Sequence, residues 1–373
     1  MTSTTTLSLL VSLLVLQALL SVPVVGFGEI PVMKTERCLL KSYPDGPLSP
    51  DNFEFDSKEL TNEEDLPQDA IVVELKHVSV DPYMRTRFKP GMGYIMPGFE
   101  LGKPIESACV AQVVASKNDK YKVGSLITGM MPWETTQVVK EPSFQPLPQL
   151  DGIPSSYFLG ILGLTGLSAY LPFKHYAKDF LKAKEKPVVF VSGSAGAVGS
   201  VFAQLCKSIG CTVYGSAGTG DKIALCKSSL GCDDAFNYKD GIAAGLDGVL
   251  KDQTIDLYFD NVGGEMLDEV LVRMSMGGKI ICCGSISGYE TKDEDLYGVQ
   301  NLFCVTTKRL QMQGFLLGQW GDELPQASQE LGEMLAAKDI VAQETVLKGF
   351  DKVVEGLIGL FKGSNTGKMI ITV

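Results

Sequence analysis

Histidine is almost absent from this sequence, and its cysteines are not closely paired. Of 373 residues only two are histidines, His77 and His175, and the nine cysteines form no Cys-x-x-Cys motif. Zinc sites are usually built from closely spaced cysteine and histidine ligands, so the sequence predicts no metal site. Because the cysteine count is odd and the chain is long, buried reduced thiols are favoured over a disulfide framework. We expect both histidines to be ordinary structural residues.

Positive charge is also in short supply. Lys and Arg number 33 against 44 Asp and Glu, which gives a net charge of −11 and an isoelectric point near 4.9. A general nucleic-acid-binding protein needs a basic face, and the basic residues here are scattered, so that class of function is excluded. An anionic small molecule remains compatible, because a local site can be positive in an acidic protein.

The most apolar run lies at the N-terminus, where residues 7–25 read LSLLVSLLVLQALLSVPVV. This run predicts a secretory signal peptide that is removed. The alternatives are a signal anchor that stays in place, or a targeting element for an organelle reached through the secretory route. Translation from Met33 would instead give a soluble cytoplasmic form. Residues 1–32 are therefore set apart from the fold, and membrane contact is expected only through them.

The rest of the chain shows two patterns. Residues 33–155 contain short alternating runs such as AIVVELKHVSVDP, separated by Gly and Pro, which indicate β-strands joined by turns. A proline-rich stretch at 141–154 predicts a link between domains. In residues 156–338 short apolar strands alternate with helical patterns, which predicts an α/β fold with a parallel sheet. Residues 339–373 hold an amphipathic helix and a closing strand.

A glycine-rich turn stands between the first strand and the first helix of this second pattern. The sequence VVFVSGSAGAVGS places Gly193, Gly196 and Gly199 three residues apart. In a strand–turn–helix unit such glycines allow a tight turn, close approach of a pyrophosphate, and close packing of the helix. The helix N-terminus then offers free N–H groups to the phosphates. The alternative is a tight turn without a ligand. A P-loop is excluded because no Gly-Lys-Ser/Thr follows.

The next strand distinguishes between the two nicotinamide dinucleotides. NAD-binding proteins place an acidic residue about twenty positions after the glycines, where it bonds the ribose hydroxyls. Here Ser216 and Ala217 stand at that place, and Lys222 follows closely. The sequence therefore predicts NADPH, with Lys222 pairing with the 2′-phosphate. The alternative for Lys222 is a solvated lysine in the first turn of a helix.

Seven stretches together resemble the zinc-free medium-chain dehydrogenase/reductases, in the group of prostaglandin reductases, plant alkenal double-bond reductases and bacterial curcumin reductase. In order they are DPYMR (81–85), LGILGLTGLSAY (159–170), SAGAVGS (194–200), FNYK (236–239), FDNVGG (259–264), CGSISGY (283–289) and KGSNTGK (362–368). The resemblance implies a Rossmann doubly wound parallel sheet plus a GroES-like β-barrel catalytic domain. It assigns 33–155 to the catalytic domain, 156–338 to the NADP-binding domain, and 339–373 to a return to the catalytic domain.

The same resemblance implies NADPH-dependent reduction of the carbon–carbon double bond in α,β-unsaturated aldehydes and ketones, by a homodimer joined through Rossmann-domain edge strands. It places Lys222 and Tyr238 at the 2′-phosphate, and Tyr83 and Tyr289 at the substrate. The pyrophosphate is expected on the glycine turn, at Gly193, Gly196, Ala197, Val198 and Gly199. The remaining cofactor contacts are expected from Asn261, Cys283, Gly284, Ser285, Ile286, Ser287, Phe315, Leu316, Leu317 and Asn365.

Catalysis without a metal needs another group to stabilise the enolate oxygen that forms when hydride adds to an enone. No Gly-His-Glu stands where GKPIE runs, at residues 102–106. We expect Tyr289 to donate a hydrogen bond to that oxygen, with solvent supplying the α-carbon proton. The alternative for Tyr289 is an aromatic lid over the nicotinamide. Tyr83 either lines the pocket or belongs to a strand-end anchor in which Asp81 pairs with Arg85.

Two other functions stay open on the residues alone. A quinone oxidoreductase would also transfer hydride from NADPH to a conjugated acceptor. A protein that binds NADPH without turnover would use the same glycine turn. The physiological acceptor is not determined by the sequence, because pocket shape depends on side chains from distant segments.

Overall fold

The fold is described from a computed structural model that covers residues 33–60, 66–93, 96–140, 142–148 and 152–373. The predicted signal peptide, at 1–32, lies outside these residues. In the described ranges, every helix is too short or too polar to cross a lipid bilayer.

The described residues between Met33 and Pro148 form mainly β structure, as the alternating pattern predicts. A separate antiparallel hairpin comes first, and five strands of a larger sheet follow. The strands are β1 (Lys34–Leu40), β2 (Phe53–Glu59), β3 (Ile71–Ser79), β4 (Glu106–Ser116), β5 (Leu126–Pro132), β6 (Thr136–Val139) and β7 (Gln145–Pro146). Strands β3 and β4 bury most of their apolar side chains, and they form the centre of the larger sheet.

The proline-rich stretch is more than a link. Within it, β7 pairs antiparallel with β5, through Ile127 with Pro146 and Thr128 with Gln145. Proline is tolerated there because β7 is the last strand of the sheet order, where a missing N–H costs no ladder bond.

The middle of the chain forms a six-stranded parallel sheet in the order β10-β9-β8-β11-β12-β13, which confirms the predicted doubly wound fold. A π-helical turn, Phe173–Ala177, joins α1 to α2. The elements are α1 (Leu164–Pro172), α2 (Lys178–Lys182), β8 (Val188–Val191), α3 (Gly199–Ser208), β9 (Thr212–Ala217), α4 (Gly220–Ser228), β10 (Asp234–Asn237), α5 (Ile242–Leu250), β11 (Ile255–Asp260), α6 (Gly264–Leu271), β12 (Met274–Cys282), α7 (Cys304–Thr307), β13 (Gln311–Gly314) and α8 (Leu324–Ala336).

The end of the chain returns to the first sheet. Its elements are β14 (Glu344–Lys348), α9 (Val353–Phe361) and β15 (Lys368–Thr372). Strand β15 lies between β14 and β3, so the larger sheet has the order β14-β15-β3-β4-β5-β7 and combines strands from the N-terminal and C-terminal parts of the chain. The molecule therefore combines a Rossmann sheet with a separate β domain.

The cysteines behave as the composition predicts. All nine lie in the described ranges and none is in a disulfide. Burial raises the pKa of the Cys38 and Cys109 thiols to about 12, so both are protonated at neutral pH. These thiols pack as small apolar side chains in the core of the β domain.

Candidate active site

The turn between β8 and α3 has a backbone conformation and a close packing that only glycine, without a side chain, allows. Gly193 has φ +62°, in the left-handed region that favours glycine. A methyl group on Gly199 would lie 2.4 Å from the carbonyl oxygen of Gly193, so only glycine lets the helix pack here. Gly196 closes the turn by donating its N–H to that same oxygen at 2.9 Å. Ala197 and Val198 follow, and no side chain caps the first turn of α3. Apart from the N–H of Ser200, which donates to the carbonyl of Gly196 at 3.0 Å, its first N–H groups are therefore available to a ligand.

The end of strand β9 packs directly against this turn. Ser194 donates both its backbone N–H and its hydroxyl to the carbonyl of Ser216, at 3.0 and 3.1 Å. The Ser216 hydroxyl in turn accepts from the N–H of Gly193 at 3.4 Å. Ser216 and Ala217 are both buried and uncharged. The position that carries a carboxylate in NAD-binding proteins is thus occupied by small neutral residues.

A positive pocket follows strand β9. Lys222 lies in the first turn of α4 and donates its Nζ to the carbonyl of Gly363 at 2.7 Å. Burial and the nearby charge of Lys239 lower the pKa of Lys222. The Tyr238 ring covers the chain beside them, because a methyl group on Gly218 would lie 3.1 Å from its hydroxyl. Two lysines and a tyrosine hydroxyl therefore meet where the sequence predicts the 2′-phosphate.

Asn261 is fixed at the carboxyl end of β11. Its side-chain amide donates to the carbonyl of Ser192 at 2.7 Å, and its N–H donates to the Ser192 hydroxyl at 3.0 Å. The buried Asp260 carboxylate accepts from the Tyr258 hydroxyl at 2.6 Å and from two N–H groups of the following turn. Burial raises the pKa of Asp260, and these bonds oppose the shift. The network holds Asn261 at the end of the neighbouring strand β8.

The loop 283–289 is docked on this strand end by its backbone. Four of its N–H groups donate to the carbonyls of residues 260–262 at 2.8 to 3.2 Å, those of Cys283, Gly284, Ile286 and Ser287. At the end of the loop, the Tyr289 hydroxyl accepts the N–H of Ser285 at 3.2 Å. A methyl group on Gly284 would lie 3.3 Å from the same hydroxyl oxygen. The phenol of Tyr289 therefore folds back onto the base of its own loop.

Apolar residues from three segments that carry predicted cofactor contacts pack against one core. Val198, Cys283, Phe315 and Leu317 all pack against the largest core of the Rossmann domain, whereas Leu316 is 45% exposed. Burial raises the pKa of the Cys283 thiol to about 12, which keeps it protonated at neutral pH. This favours a packing role for the sulfur.

The C-terminal return also touches the glycine turn. Gly367 donates its N–H to the carbonyl of Ala195 at 2.7 Å and forms a parallel bridge with Gly196. The Asn365 side-chain amide donates to the carbonyl of Gly367 at 2.7 Å. Gly367 has φ +65°, and a methyl group there would lie 2.0 Å from the carbonyl of Gln343. The predicted residue Asn365 is thus brought next to the turn by an unpredicted glycine.

The alternative in which Asp81 pairs with Arg85 is wrong. Asp81 pairs instead with Lys368, whose Nζ lies 3.1 Å from its carboxylate oxygen. Arg85 donates to the carbonyl of Gly46 at 2.6 Å. Tyr83 lies between Asp81 and Arg85 in the sequence and packs against the core of the β domain. Burial and the charge of Asp81 raise the pKa of the Tyr83 hydroxyl.

The sequence analysis predicts no role for three residues of the site, Lys239, Gly367 and Lys368. Each belongs to a stretch that carries the family resemblance, either FNYK or KGSNTGK. It predicts cofactor contacts for the adjacent Tyr238 and the nearby Asn365 instead. The signal was therefore present, but the long-range contacts that give these residues a role cannot be read from sequence spacing.

The histidines lie in structural contacts. His77 lies within hydrogen-bond distance of the hydroxyls of Thr372 and Ser155, at 3.2 and 3.1 Å, and burial lowers its pKa. His175 stacks on Trp320 at 5.0 Å between ring centroids. Within the described part of the chain, no three His, Cys, Asp or Glu side chains are grouped as metal ligands would be.

Two family models match the chain. Residues 36–147 match the N-terminal domain of oxidoreductases, and residues 197–333 match the family described as zinc-binding dehydrogenase. Among relatives, the chain is 36% identical over 345 residues to a 2-alkenal reductase (NADP(+)-dependent) of Nicotiana tabacum, covering 91% of this chain and 98% of that one. It is 34% identical over 346 residues to prostaglandin reductase 1 of Mus musculus, covering 91% and 99%.

A solved structure gives the same result. The structure of CurA from Vibrio vulnificus in complex with NADPH matches with a TM-score of 0.80 and 29% identity, over 91% of this chain and 99% of that one. With relatives of this identity matched along nine-tenths of its length, the chain belongs to the zinc-free medium-chain dehydrogenase/reductases, in the group of the prostaglandin reductases and alkenal double-bond reductases.

Proposed function

We propose that this protein uses NADPH to reduce the carbon–carbon double bond of α,β-unsaturated aldehydes and ketones, by hydride addition to the β-carbon. The observation that carries the proposal is the position of Tyr289, on a loop bonded to the end of β11 beside the glycine turn. The next residue, Glu290, accepts the N–H of Leu48 at 2.7 Å, so the loop also contacts the β domain. The tobacco relative, named a 2-alkenal reductase (NADP(+)-dependent), supports the same chemistry.

The residues present fit NADPH. The uncapped N-terminus of α3 and the three glycines of the turn suit a pyrophosphate. Lys222, Lys239 and Tyr238 suit a 2′-phosphate, because the pocket combines two positive charges with a hydroxyl. Asn261, Asn365 and the apolar cluster of Val198, Cys283, Phe315 and Leu317 would hold the rest of the molecule.

When bound, NADPH supplies the hydride. The negative charge that develops on the carbonyl oxygen of the acceptor then needs a hydrogen-bond donor, and Tyr289 is proposed for that role. A tyrosine hydroxyl can accept one hydrogen bond and donate another at the same time, and the Tyr289 oxygen accepts from Ser285. Tyr83, packed on the β domain, is proposed as part of the pocket wall. Solvent can protonate the α-carbon.

An acceptor panel tests the proposed function. Protein covering residues 33–373 is mixed with NADPH and 2-hexenal, cyclohexenone or benzoquinone, and NADPH oxidation is followed with product analysis. We expect the alkenal and the enone to be converted to saturated carbonyl compounds. Turnover of the quinone alone would establish the alternative reductase, and NADPH binding without oxidation of any acceptor would overturn the proposal.

Lys222→Ala is expected to raise the KM for NADPH by roughly 10- to 100-fold and to leave the KM for NADH nearly unchanged. The lost interaction is a hydrogen bond between two charged groups, which is stronger than a neutral one. Lys227→Ala is the matched control, because Lys227 lies on the same helix but pairs with Asp234 at 2.9 Å. An equal effect of Lys222→Ala on both cofactors would show that this lysine does not read the 2′-phosphate.

We also propose that the protein is a homodimer joined through β13. This strand is the last in the order of the Rossmann sheet, and all four of its residues are exposed. Exposed large apolar side chains lie on the preceding elements, Met276 on the neighbouring strand β12 and Phe303 directly before α7, with exposures of 56% and 73%. An edge strand with an apolar surround can pair with its own copy and extend the sheet.

Met312→Lys on β13 is expected to convert the dimer to a monomer, measured by light scattering after size-exclusion chromatography. The introduced charge would meet its own copy across the two-fold axis. Met130→Lys is the control, because Met130 has similar exposure, 39% against 37% for Met312, and lies on the β domain. A wild-type protein that runs as a monomer at micromolar concentration would contradict the proposal.

A further inference from the structure

A short segment of the β domain, residues 45–48, is bonded to Glu290 and Lys292 of the Rossmann domain. It follows β1 and ends at Leu48, which is 5% exposed and packs in the core of the β domain. Tyr43, just before it, donates its hydroxyl to the carbonyl of Phe99 at 2.9 Å. The segment is therefore anchored at both ends within its own domain.

Both candidate substrate residues have a neighbour bonded to this segment. Arg85, two residues after Tyr83, donates to the carbonyl of Gly46 at 2.6 Å. Glu290, directly after Tyr289, accepts the backbone N–H of Leu48 on its carboxylate at 2.7 Å. Residues 45–48 therefore connect the stretch that contains Tyr83, in the β domain, with the loop that contains Tyr289, in the Rossmann domain.

Glu290 makes the stronger of two bridges between the loop and the segment. Its bond joins a carboxylate to a backbone N–H of a buried residue, and hydrogen bonds to charged acceptors are the stronger kind. The second bridge joins Lys292 to Asp45 at 2.8 Å, but these side chains are 46% and 89% exposed. Exposed ion pairs contribute little because water screens them. Glu290 therefore carries most of the attachment.

We propose that Glu290 is a positioning residue: its bond to the Leu48 amide ties the Tyr289 loop to the opposite domain and fixes the phenol over the substrate. This inference rests on the proposed function. The base of the loop, at 283–287, is held separately by its four backbone bonds to residues 260–262. Tyr289 is also tied to this base, because its N–H donates to the carbonyl of Ile286 at 3.3 Å and its hydroxyl accepts from Ser285. Loss of the Glu290 bond therefore detaches the Tyr289 end of the loop from the β domain and leaves the part that faces the cofactor in place.

The test compares Glu290→Ala with Glu290→Gln. Alanine removes the acceptor, whereas glutamine keeps a carbonyl oxygen at the same distance from the backbone. With 2-hexenal as acceptor, we expect Glu290→Ala to lower kcat about tenfold, and Glu290→Gln to stay within twofold of the wild type. Lys292→Ala, which removes only the exposed ion pair, is the control and is also expected within twofold. The dissociation constant for NADPH and the midpoint of thermal unfolding should not change in any variant.

Three results would overturn the inference. The first is a wild-type kcat in Glu290→Ala. The second is equal damage in Glu290→Gln, which would mean that the charge matters and the Leu48 bond does not. The third is weaker NADPH binding or a lower unfolding midpoint in Glu290→Ala, which would indicate a general structural role.

Hydrogen exchange separates this inference from the proposed function. Peptides covering residues 43–49 are followed by mass spectrometry in protein without acceptor. Glu290→Ala should exchange faster than the wild type at the Leu48 amide, and Glu290→Gln should not. This result is expected even if the wild type reduces none of the chosen acceptors, in which case the proposed function fails while the attachment stands. Equal exchange in all three proteins would overturn the attachment itself.

Discussion

Tyr289→Phe is expected to lower kcat for a 2-alkenal by about 10²- to 10³-fold, the usual cost of removing one hydrogen-bond donor from an oxyanion. The Tyr289 oxygen accepts the N–H of Ser285 and lies close to Gly284, so the phenol is held on a loop docked by its backbone. Phenylalanine keeps the ring and removes only the hydroxyl. Because the interaction is made in the transition state, kcat and kcat/KM should fall together.

The controls for this prediction use the same loop region. Tyr297→Phe removes a hydroxyl that donates to Asp268, on α6, at 2.9 Å. It should leave kcat within twofold of the wild type, and NADPH fluorescence titration should give the same dissociation constant for all three proteins. Unchanged turnover in Tyr289→Phe would establish the alternative role, an aromatic lid that packs without donating.

The part of this site that is local in sequence could be predicted from the sequence. Gly193, Gly196 and Gly199 lie within seven residues of one another, and their roles follow from the turn and helix that they join. The absence of a carboxylate at Ser216 is likewise read directly from spacing along one strand–helix unit. Sequence reasoning succeeds here because the ligand-binding geometry is built by backbone close to each glycine.

The part that depends on distant contacts could not be predicted. Glu290 and Leu48 are 242 residues apart, and Lys368 bonds a carbonyl 288 residues away at Val80. Nothing in the sequence fixes which pair of charged residues meets across such a distance. The alternative for DPYMR paired Asp81 with Arg85, four residues away, but the neighbouring strand β15 offers Lys368 instead.

Two elements were missed for a different reason. Strand β13 has the sequence QMQG, and all four residues are exposed. It therefore lacks the apolar pattern by which a parallel strand is recognised. Strand β7 contains a proline, which normally argues against a strand. Both are edge strands, and the sheet beside them decides their conformation more than their own residues do.

Asp81→Asn is expected to lower the free energy of unfolding by about 3 to 5 kcal/mol, because it removes the ion-pair partner of the buried Lys368 ammonium. The two side chains are only 6% and 4% exposed. The ammonium also donates to the carbonyls of Val80 and Met369, at 2.7 and 3.0 Å, so it cannot turn away to water without breaking those bonds. The midpoint of thermal unfolding should fall by on the order of 10 °C.

A double-mutant cycle decides whether the pair acts as a unit. Lys368→Met alone should also destabilise the protein, because it leaves the buried Asp81 carboxylate unpaired. The double variant Asp81→Asn/Lys368→Met should recover most of the loss, because a buried pair replaced by neutral groups is often close to neutral in stability. Losses that simply add would contradict the coupling.

An exposed ion pair gives the scale for this comparison. Lys352 and Glu355 lie 2.9 Å apart with side chains 41% and 60% exposed, so Glu355→Gln should change the stability by less than about 1 kcal/mol.

The buried pair of Asp81 and Lys368 also lies between two parts of the site. Asp81 lies two residues before Tyr83, and Gly367, next to Lys368, donates its N–H to the carbonyl of Ala195 in the glycine turn. The Asp81–Lys368 pair therefore sets the spacing between the proposed pocket wall and the proposed cofactor turn. Both single variants should raise the KM for the acceptor even at temperatures where they remain folded.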